Sequence, residues 1–199
     1  MPVRLKGNGA RNIGSTGEQG KKVMNVKIFS GECGVGGGLQ LQTVLGDLFT
    51  SPENVSLCHC VSRDFKMGSG IAVIFKAVFG RIQELMDTGV GVGGIAVLKD
   101  GKRFIYNLVT KEKSNDKPTY EDLQRSLESM REHAREHGVT SIAMPEIGCG
   151  LDQLQWQLVK GIIEKVFQQE KIKLTVYKLG RRKNQGWQET GGEKCSEIK

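Results

Sequence analysis

Short apolar segments alternate with amphipathic helical patterns along the middle of this chain, and this alternation constrains the fold more than any other feature. Strands that alternate with helices build a layered α/β domain with a parallel or mixed sheet. An Asp100-Gly101 turn joins two of the strands as a hairpin, so at least that pair is predicted to be antiparallel and the sheet to be mixed. The six predicted strands are 39–45, 55–61, 95–99, 104–109, 141–145 and 174–179.

Three helical patterns lie between these strands. The clearest begins at Thr119 as N-cap, carries one apolar stripe and ends at Gly138. A second is predicted over 152–169, with an inner face broad enough to cover a sheet. A third, over 70–79, is so apolar that we expect it to be buried, and 81–86 continues it after a glycine.

Charge divides the chain of 199 residues into one domain and two tails. The formal net charge is +7, but residues 1–38 contribute +4 and residues 180–199 contribute +2, which leaves +1 between them. We therefore expect a glycine-rich, basic and largely disordered extension over 1–38, with one strand-like piece at 23–29. A folded domain follows over 39–180, and a polar, basic and disordered tail over 181–199.

The five cysteines do not indicate disulfides or a metal site. Their number is odd and their spacing follows no disulfide framework, so we expect reduced thiols in a soluble intracellular protein. Cys58-His59-Cys60 lacks the second ligand pair that a tetrahedral zinc site needs. Along a strand these residues alternate between faces, so at most one side reaches a cleft, and a buried histidine is the simpler interpretation.

Two glycine-rich turns each join a strand to a predicted helix. They are Met67-Gly68-Ser69-Gly70 and Gly148-Cys149-Gly150-Leu151. In an open α/β sheet, ligands bind at the carboxyl ends of the strands, where helix N-termini offer unpaired N–H groups to phosphate. The two turns could hold a pyrophosphate between them, although glycines also serve simply to allow tight turns.

Two charged residues near these turns remain ambiguous on spacing alone. Lys111 follows a strand end, where a ligand crevice would open, yet a loop lysine is usually solvated. Asp152 precedes a helical pattern, where aspartate is a favoured N-cap.

Five motifs, taken in order, resemble the macrodomain family, and within it the terminal ADP-ribose protein glycohydrolases, also described as O-acetyl-ADP-ribose deacetylases. The resemblance covers about residues 39–179 and implies a three-layer α/β/α fold with a mixed, roughly six-stranded sheet that binds ADP-ribose at one edge. The motifs are Leu45-Gly46-Asp47-Leu48-Phe49, Cys58-His59-Cys60-Val61-Ser62, Lys66-Met67-Gly68-Ser69-Gly70-Ile71-Ala72, Lys117-Pro118-Thr119-Tyr120 and Pro145-Glu146-Ile147-Gly148-Cys149-Gly150-Leu151-Asp152.

The same resemblance implies roles for individual residues. Lys111 would be the nucleophile and Asp152 the acid/base. Asp47 and Leu48 would hold the adenine, with Leu179 closing that end. The remaining ligand contacts would come from Ser62, Gly68, Gly70, Glu146, Ile147, Gly148, Cys149, Gly150 and Leu151.

The function implied by the resemblance is removal of terminal ADP-ribose from Glu and Asp esters of modified proteins through a lysyl-ADP-ribose intermediate, with deacylation of O-acetyl-ADP-ribose. Its ligands would be ADP-ribose and ADP-ribosylated proteins, with free poly-ADP-ribose a further candidate. We expect a monomer of the nucleus and cytoplasm, active in the DNA damage response, with no metal, cofactor, membrane or direct nucleic-acid partner.

Three other functions remain to be weighed. A module that reads ADP-ribose without turnover would need neither Lys111 nor Asp152. A nucleic-acid binder would rely on the basic tails, because the core is nearly neutral. A nicotinamide dehydrogenase is disfavoured because the turns lack the Rossmann fingerprint.

Overall fold

All six segments predicted as strands are strands in the computed structural model, which describes residues 38–179 and the backbone of a short strand at 28–29. The sheet has seven strands, because this two-residue strand extends one edge. The strands are β1 Ile28–Phe29, β2 Gln40–Leu45, β3 Ser56–Ser62, β4 Ile95–Asp100, β5 Arg103–Lys111, β6 Ser141–Pro145 and β7 Lys173–Lys178. The helices are α1 Ile71–Phe79, α2 Ile82–Asp87, α3 Tyr120–Glu136 and α4 Trp156–Phe167, with one 3-10 turn at Leu48–Thr50.

The sheet is mixed, with the strand order β1-β2-β7-β6-β3-β5-β4. The five inner strands, β2, β7, β6, β3 and β5, are parallel to one another. The edge strands β1 and β4 pair antiparallel with β2 and β5. The predicted hairpin is confirmed, with Asp100 opposite Arg103. Since β6, β3 and β5 are neighbours and parallel, their carboxyl ends meet at one edge of the sheet.

Helices cover both faces of the sheet, as the predicted three-layer fold requires. On one face, α3 and α4 pack through fully buried side chains such as Leu127 and Ile163. On the other face, α1 and α2 contribute Phe75 and Leu85 to a second core. None of the helices in the described part of the chain is long and apolar enough to cross a membrane.

The predicted start of α3 is confirmed. The Thr119 hydroxyl accepts a hydrogen bond from the backbone N–H of Asp122 at 3.0 Å, which satisfies one of the unpaired donors of the first turn. The helix ends at Glu136, and Gly138 takes the left-handed conformation, with φ of 63°, that stops it.

The expectation that α1 is buried is wrong. Phe75 is its one buried side chain, whereas Val73, Ile74 and Val78 are 44%, 47% and 56% exposed. Apolar residues lie around the whole circumference of this helix, but α1 is in an outer layer and packs on the sheet with one side only. Its apolar composition could not show which side would be covered.

The predicted start of α4 is also wrong. The helix begins at Trp156 with Gln155 as N-cap, so Asp152 is not a capping residue. Gln153 has a left-handed φ of 62°, which a right-handed helix cannot include, and the Leu154 N–H instead donates to the Gly148 carbonyl at 2.8 Å. Asp152 therefore lies in a folded loop between β6 and α4.

Candidate active site

Lys111 and Asp152 meet at the carboxyl edge of the sheet. Lys111 ends β5, and Asp152 lies 41 residues later in the loop after β6. The Lys111 Nζ donates to the Asp152 Oδ1 at 2.6 Å, and the two side chains are 13% and 15% exposed. The pair is therefore shielded from most water while still open to a ligand, and the carboxylate is placed to accept a proton from the amine.

The loop from 146 to 155 gives its two glycines different surroundings. Gly148 is buried with φ of 71°, and a Cβ there would lie 2.8 Å from the Leu154 Cδ1. Gly150 is exposed, and no heavy atom of the described residues lies within 4 Å of the position its Cβ would take. Gly148 thus serves the fold of the loop, whereas the space beside Gly150 is free for a ligand.

The two glycine-rich turns lie side by side. A Cβ on Gly70, whose φ is 60°, would lie 3.6 Å from the Leu151 Cδ1, and Gly70 directly precedes α1. The turn 67–70 leads straight into α1, whereas the turn 148–151 does not lead straight into α4, which starts only at Trp156. The N–H groups that a phosphate would meet at a helix end are those of α1.

The residues implied for adenine recognition also share one edge. The Gly46 N–H donates to the Lys178 carbonyl at 2.9 Å, which places Asp47 beside Leu179. Asp47 is exposed and its Oδ1 accepts from the Phe49 N–H at 3.0 Å, while Leu179 is 80% exposed. Both side chains are available to a ligand.

Four of the predicted contact residues direct their side chains to other protein groups. Leu48 and Ile147 are 3% and 2% exposed in the two cores. The Ser62 hydroxyl is buried and donates to the Asp64 Oδ1 at 2.5 Å, and the Glu146 Oε1 pairs with the Lys178 Nζ at 2.6 Å. For Leu48 and Ile147, a contact with ligand would have to come from the backbone.

The thiols near the site are protonated at neutral pH. Burial and the neighbouring Glu146 carboxylate raise the pKa of Cys149 to about 11. Burial, and secondarily the charge of Asp152, raises the pKa of Cys60 to about 12. A thiol nucleophile is therefore disfavoured at this edge.

The expectation of a buried histidine in the Cys58-His59-Cys60 motif is confirmed. Cys58 and His59 are fully buried. The His59 ring stacks on Phe75 with centroids 3.8 Å apart, and its Nε2 lies 2.7 Å from the Asn107 Oδ1. Because the Asn107 amide nitrogen donates to the Ala96 carbonyl, its oxygen accepts, and His59 must donate from Nε2.

Sequence reasoning gave no role to two residues that contact the Asp152 loop. The Lys117 Nζ donates to the Leu151 carbonyl at 2.8 Å, and the Gln155 N–H donates to the Tyr120 hydroxyl oxygen at 3.1 Å. Lys117 and Tyr120 belong to the Lys117-Pro118-Thr119-Tyr120 motif, so the sequence did single them out. The spacing of that motif, however, does not show that these residues contact the Asp152 loop.

Helices on both faces of a mixed sheet define an α/β/α domain, with Lys111 and Asp152 together at the carboxyl edge of the sheet. The Macro domain family model matches residues 58–163, and the chain belongs to the macrodomain family. The ADP-ribose glycohydrolase OARD1 of Homo sapiens is 52% identical over 142 residues, which is 71% of this chain and 93% of the human protein. The resemblance noted in the sequence is thereby confirmed.

Solved structures agree on the fold. The macrodomain of Thermus aquaticus DarG superposes with a TM-score of 0.64 at 29% identity, over 71% of this chain and 99% of that one. Thermosipho africanus DarTG, in complex with ADP-ribose, gives a TM-score of 0.62 at 21% identity, over 69% of this chain and 41% of that one. The second similarity supports the architecture alone.

Proposed function

We propose that this protein is an ADP-ribose glycohydrolase that releases terminal ADP-ribose from acidic side chains of modified proteins. The observation that carries the proposal is the shielded pair of Lys111 Nζ and Asp152 Oδ1, 2.6 Å apart at the carboxyl edge of the sheet. The human relative named as an ADP-ribose glycohydrolase supports it, because the similarity spans nearly the whole of that protein.

The reaction proceeds in two stages. Asp152 accepts a proton from Lys111, and the neutral amine attacks the anomeric carbon of the distal ribose, so that a C–N bond forms and the bond to the acyl oxygen breaks. The protein carboxylate leaves, and the lysyl adduct opens to an imine. Asp152 then assists water to attack the same carbon, which releases ADP-ribose and restores the lysine.

Exposed groups at the carboxyl edge support a nucleotide ligand. Asp47 and Leu179 offer exposed side chains, and the space beside Gly150, in the same loop as Asp152, is open among the described residues. We extend the proposal to O-acetyl-ADP-ribose as a small substrate, to ADP-ribosylated proteins as partners, and to a nuclear and cytoplasmic location.

The first test is release of ADP-ribose from a Glu-linked mono-ADP-ribosylated protein. Wild type is expected to release it, and Lys111→Ala to abolish release while keeping affinity for ADP-ribose, because the amine contributes little to holding adenine or pyrophosphate. Lys113→Ala is the matched control, since this exposed lysine lies two residues away in the same segment. Equal turnover by Lys111→Ala and wild type would contradict a nucleophilic role.

The second test traps the intermediate. Asp152→Ala is expected to let Lys111 attack but to stall the resolution by water, so denaturing mass spectrometry should find an ADP-ribose adduct on Lys111. A module that only reads ADP-ribose would bind it without turnover and without an adduct. If wild type turns over but no adduct forms in Asp152→Ala, Asp152 acting on a bound water becomes the better mechanism.

A further inference from the structure

The segment 117–120 touches the Asp152 loop at two points, one on each side of Asp152. The Lys117 Nζ donates to the carbonyl of Leu151, one residue before Asp152, at 2.8 Å. The Gln155 N–H, three residues after it, donates to the Tyr120 hydroxyl at 3.1 Å. We propose that Lys117 and Tyr120 are positioning residues that hold the carboxylate of Asp152 against Lys111.

The loop has left-handed φ angles at Gly148 and Gln153, and no regular element begins until Trp156. It carries backbone hydrogen bonds of its own, such as that from the Leu154 N–H to the Gly148 carbonyl at 2.8 Å. At its base, it is also fixed by the pair of Glu146 and Lys178. These contacts shape the loop, whereas the contacts of Lys117 and Tyr120 tie the part around Asp152 to the start of α3.

The segment that supplies the two contacts is itself firmly held. Pro118 is buried, Thr119 caps α3, and Tyr120 is the first residue of that helix and packs against the core. Helix α3 in turn packs on β5, where the Ser126 hydroxyl donates to the Val109 carbonyl at 3.2 Å, two residues before Lys111. Lys111 is therefore positioned by β5, and Asp152 is tied by two hydrogen bonds to the segment at the start of the helix that packs on β5.

The chemical consequence rests on the proposed function. Resolution of the lysyl adduct requires Asp152 to be aligned with an incoming water. Misplacement of a reacting group by about 1 Å can slow a step by about a hundredfold. Loss of these contacts is therefore expected to slow resolution and to leave an adduct on Lys111, which a role in overall stability would not produce.

Point variants separate positioning from stability. Tyr120→Phe removes only the hydroxyl, and Lys117→Met removes the donor while keeping an unbranched side chain. In combination they are expected to lower kcat ten- to hundredfold, with a smaller loss of affinity for ADP-ribose. Lys117→Arg, which can still donate to the Leu151 carbonyl, should restore most of the activity lost in Lys117→Met.

A stability control comes from the middle of α3. Leu127→Ala removes a fully buried side chain and should lower Tm, while the Thr119 cap and the two contacts to the loop remain. It should accumulate no adduct. Lys111 adducts in the double variant at a Tm near that of wild type would support positioning. Adducts in Leu127→Ala as well, or normal turnover in the double variant, would overturn it.

Hydrogen exchange tests the contact without relying on catalysis. In wild type the Gln155 N–H should be protected by the Tyr120 hydroxyl, and in Tyr120→Phe it should exchange at least tenfold faster. If wild type released no ADP-ribose, the proposed function would fail, but this measurement would still decide whether the segment holds the loop. Unchanged exchange at Gln155 would refute the inference by itself.

Discussion

Gly148 and Gly150 lie two residues apart in one loop, and the structure predicts opposite consequences for the same substitution. At Gly148, an alanine must keep a left-handed φ of 71°, which costs a non-glycine residue about 1–2 kcal/mol. Its Cβ would also lie 2.8 Å from the Leu154 Cδ1, well inside the ~3.5–4.0 Å of a normal carbon contact. Leu154 can shift, so we expect a total of about 2–3 kcal/mol.

Gly150→Ala should leave stability almost unchanged. Its φ is not in the left-handed region, and among the described residues nothing lies within 4 Å of the new Cβ. For a chain of this size about 1 kcal/mol corresponds to about 2–4 °C in Tm. We therefore expect Tm to fall by about 4–12 °C in Gly148→Ala and by less than about 2 °C in Gly150→Ala.

At Gly150, a substitution should affect ADP-ribose binding more than it affects stability. Any side chain there enters the space that the ligand is proposed to occupy, and Gly150→Val should weaken ADP-ribose binding at least tenfold, or about 1.4 kcal/mol. Thermal unfolding and titration calorimetry on the same samples provide the comparison. Wild-type affinity in Gly150→Val would remove this part of the loop from the site, and equal Tm losses in the two alanine variants would refute the assignment of Gly148.

Three further outcomes are expected. Burial lowers the pKa of His59 to about 4 from its usual 6.5, so the unfolded chain binds a proton first as the pH falls. The free energy of unfolding should therefore drop by up to roughly 3 kcal/mol between pH 6.5 and 4, measured by denaturant titration against His59→Gln. The pKa of Cys149 is raised to about 11 from 9.0, which leaves less thiolate at pH 7. Its reaction with iodoacetamide at pH 7, followed by mass spectrometry, should therefore be roughly a hundredfold slower than that of a free thiol. A chain of residues 39–180 should keep ADP-ribose affinity within a few-fold by calorimetry, and failure to fold would show that β1 is required.

The fold was largely predictable because its signals are local. A strand is recognised from a few consecutive residues, and all six predicted strands are present with ends shifted by at most two residues. The cap at Thr119 is equally local. The two errors concern what local patterns do not contain. Apolar composition did not show which side of α1 faces water. The sequence also did not show that Gln153 takes a left-handed conformation, so the start of α4 was predicted too early.

The site was less predictable, because it depends on contacts between distant parts of the chain. Lys111 and Asp152 are 41 residues apart, and their distance follows from the order of strands β6, β3 and β5, which no spacing reveals. Only the family resemblance paired them. The contacts of Lys117 and Tyr120 with the Asp152 loop were missed for the same reason, although their motif was noticed.

The central position of β3 has a consequence for how the protein folds. β3 lies between β5, which ends at Lys111, and β6, which leads to Asp152. The register of β3 with β5 shifts between Val61 and Ser62, so that Ser62 lies opposite Lys111. Parallel pairing across long sequence separations is slow, because each crossover must close before its strand gains contacts. The crevice should then form late in refolding, after most secondary structure, and the recovery of ADP-ribose binding should lag behind the far-ultraviolet circular dichroism signal.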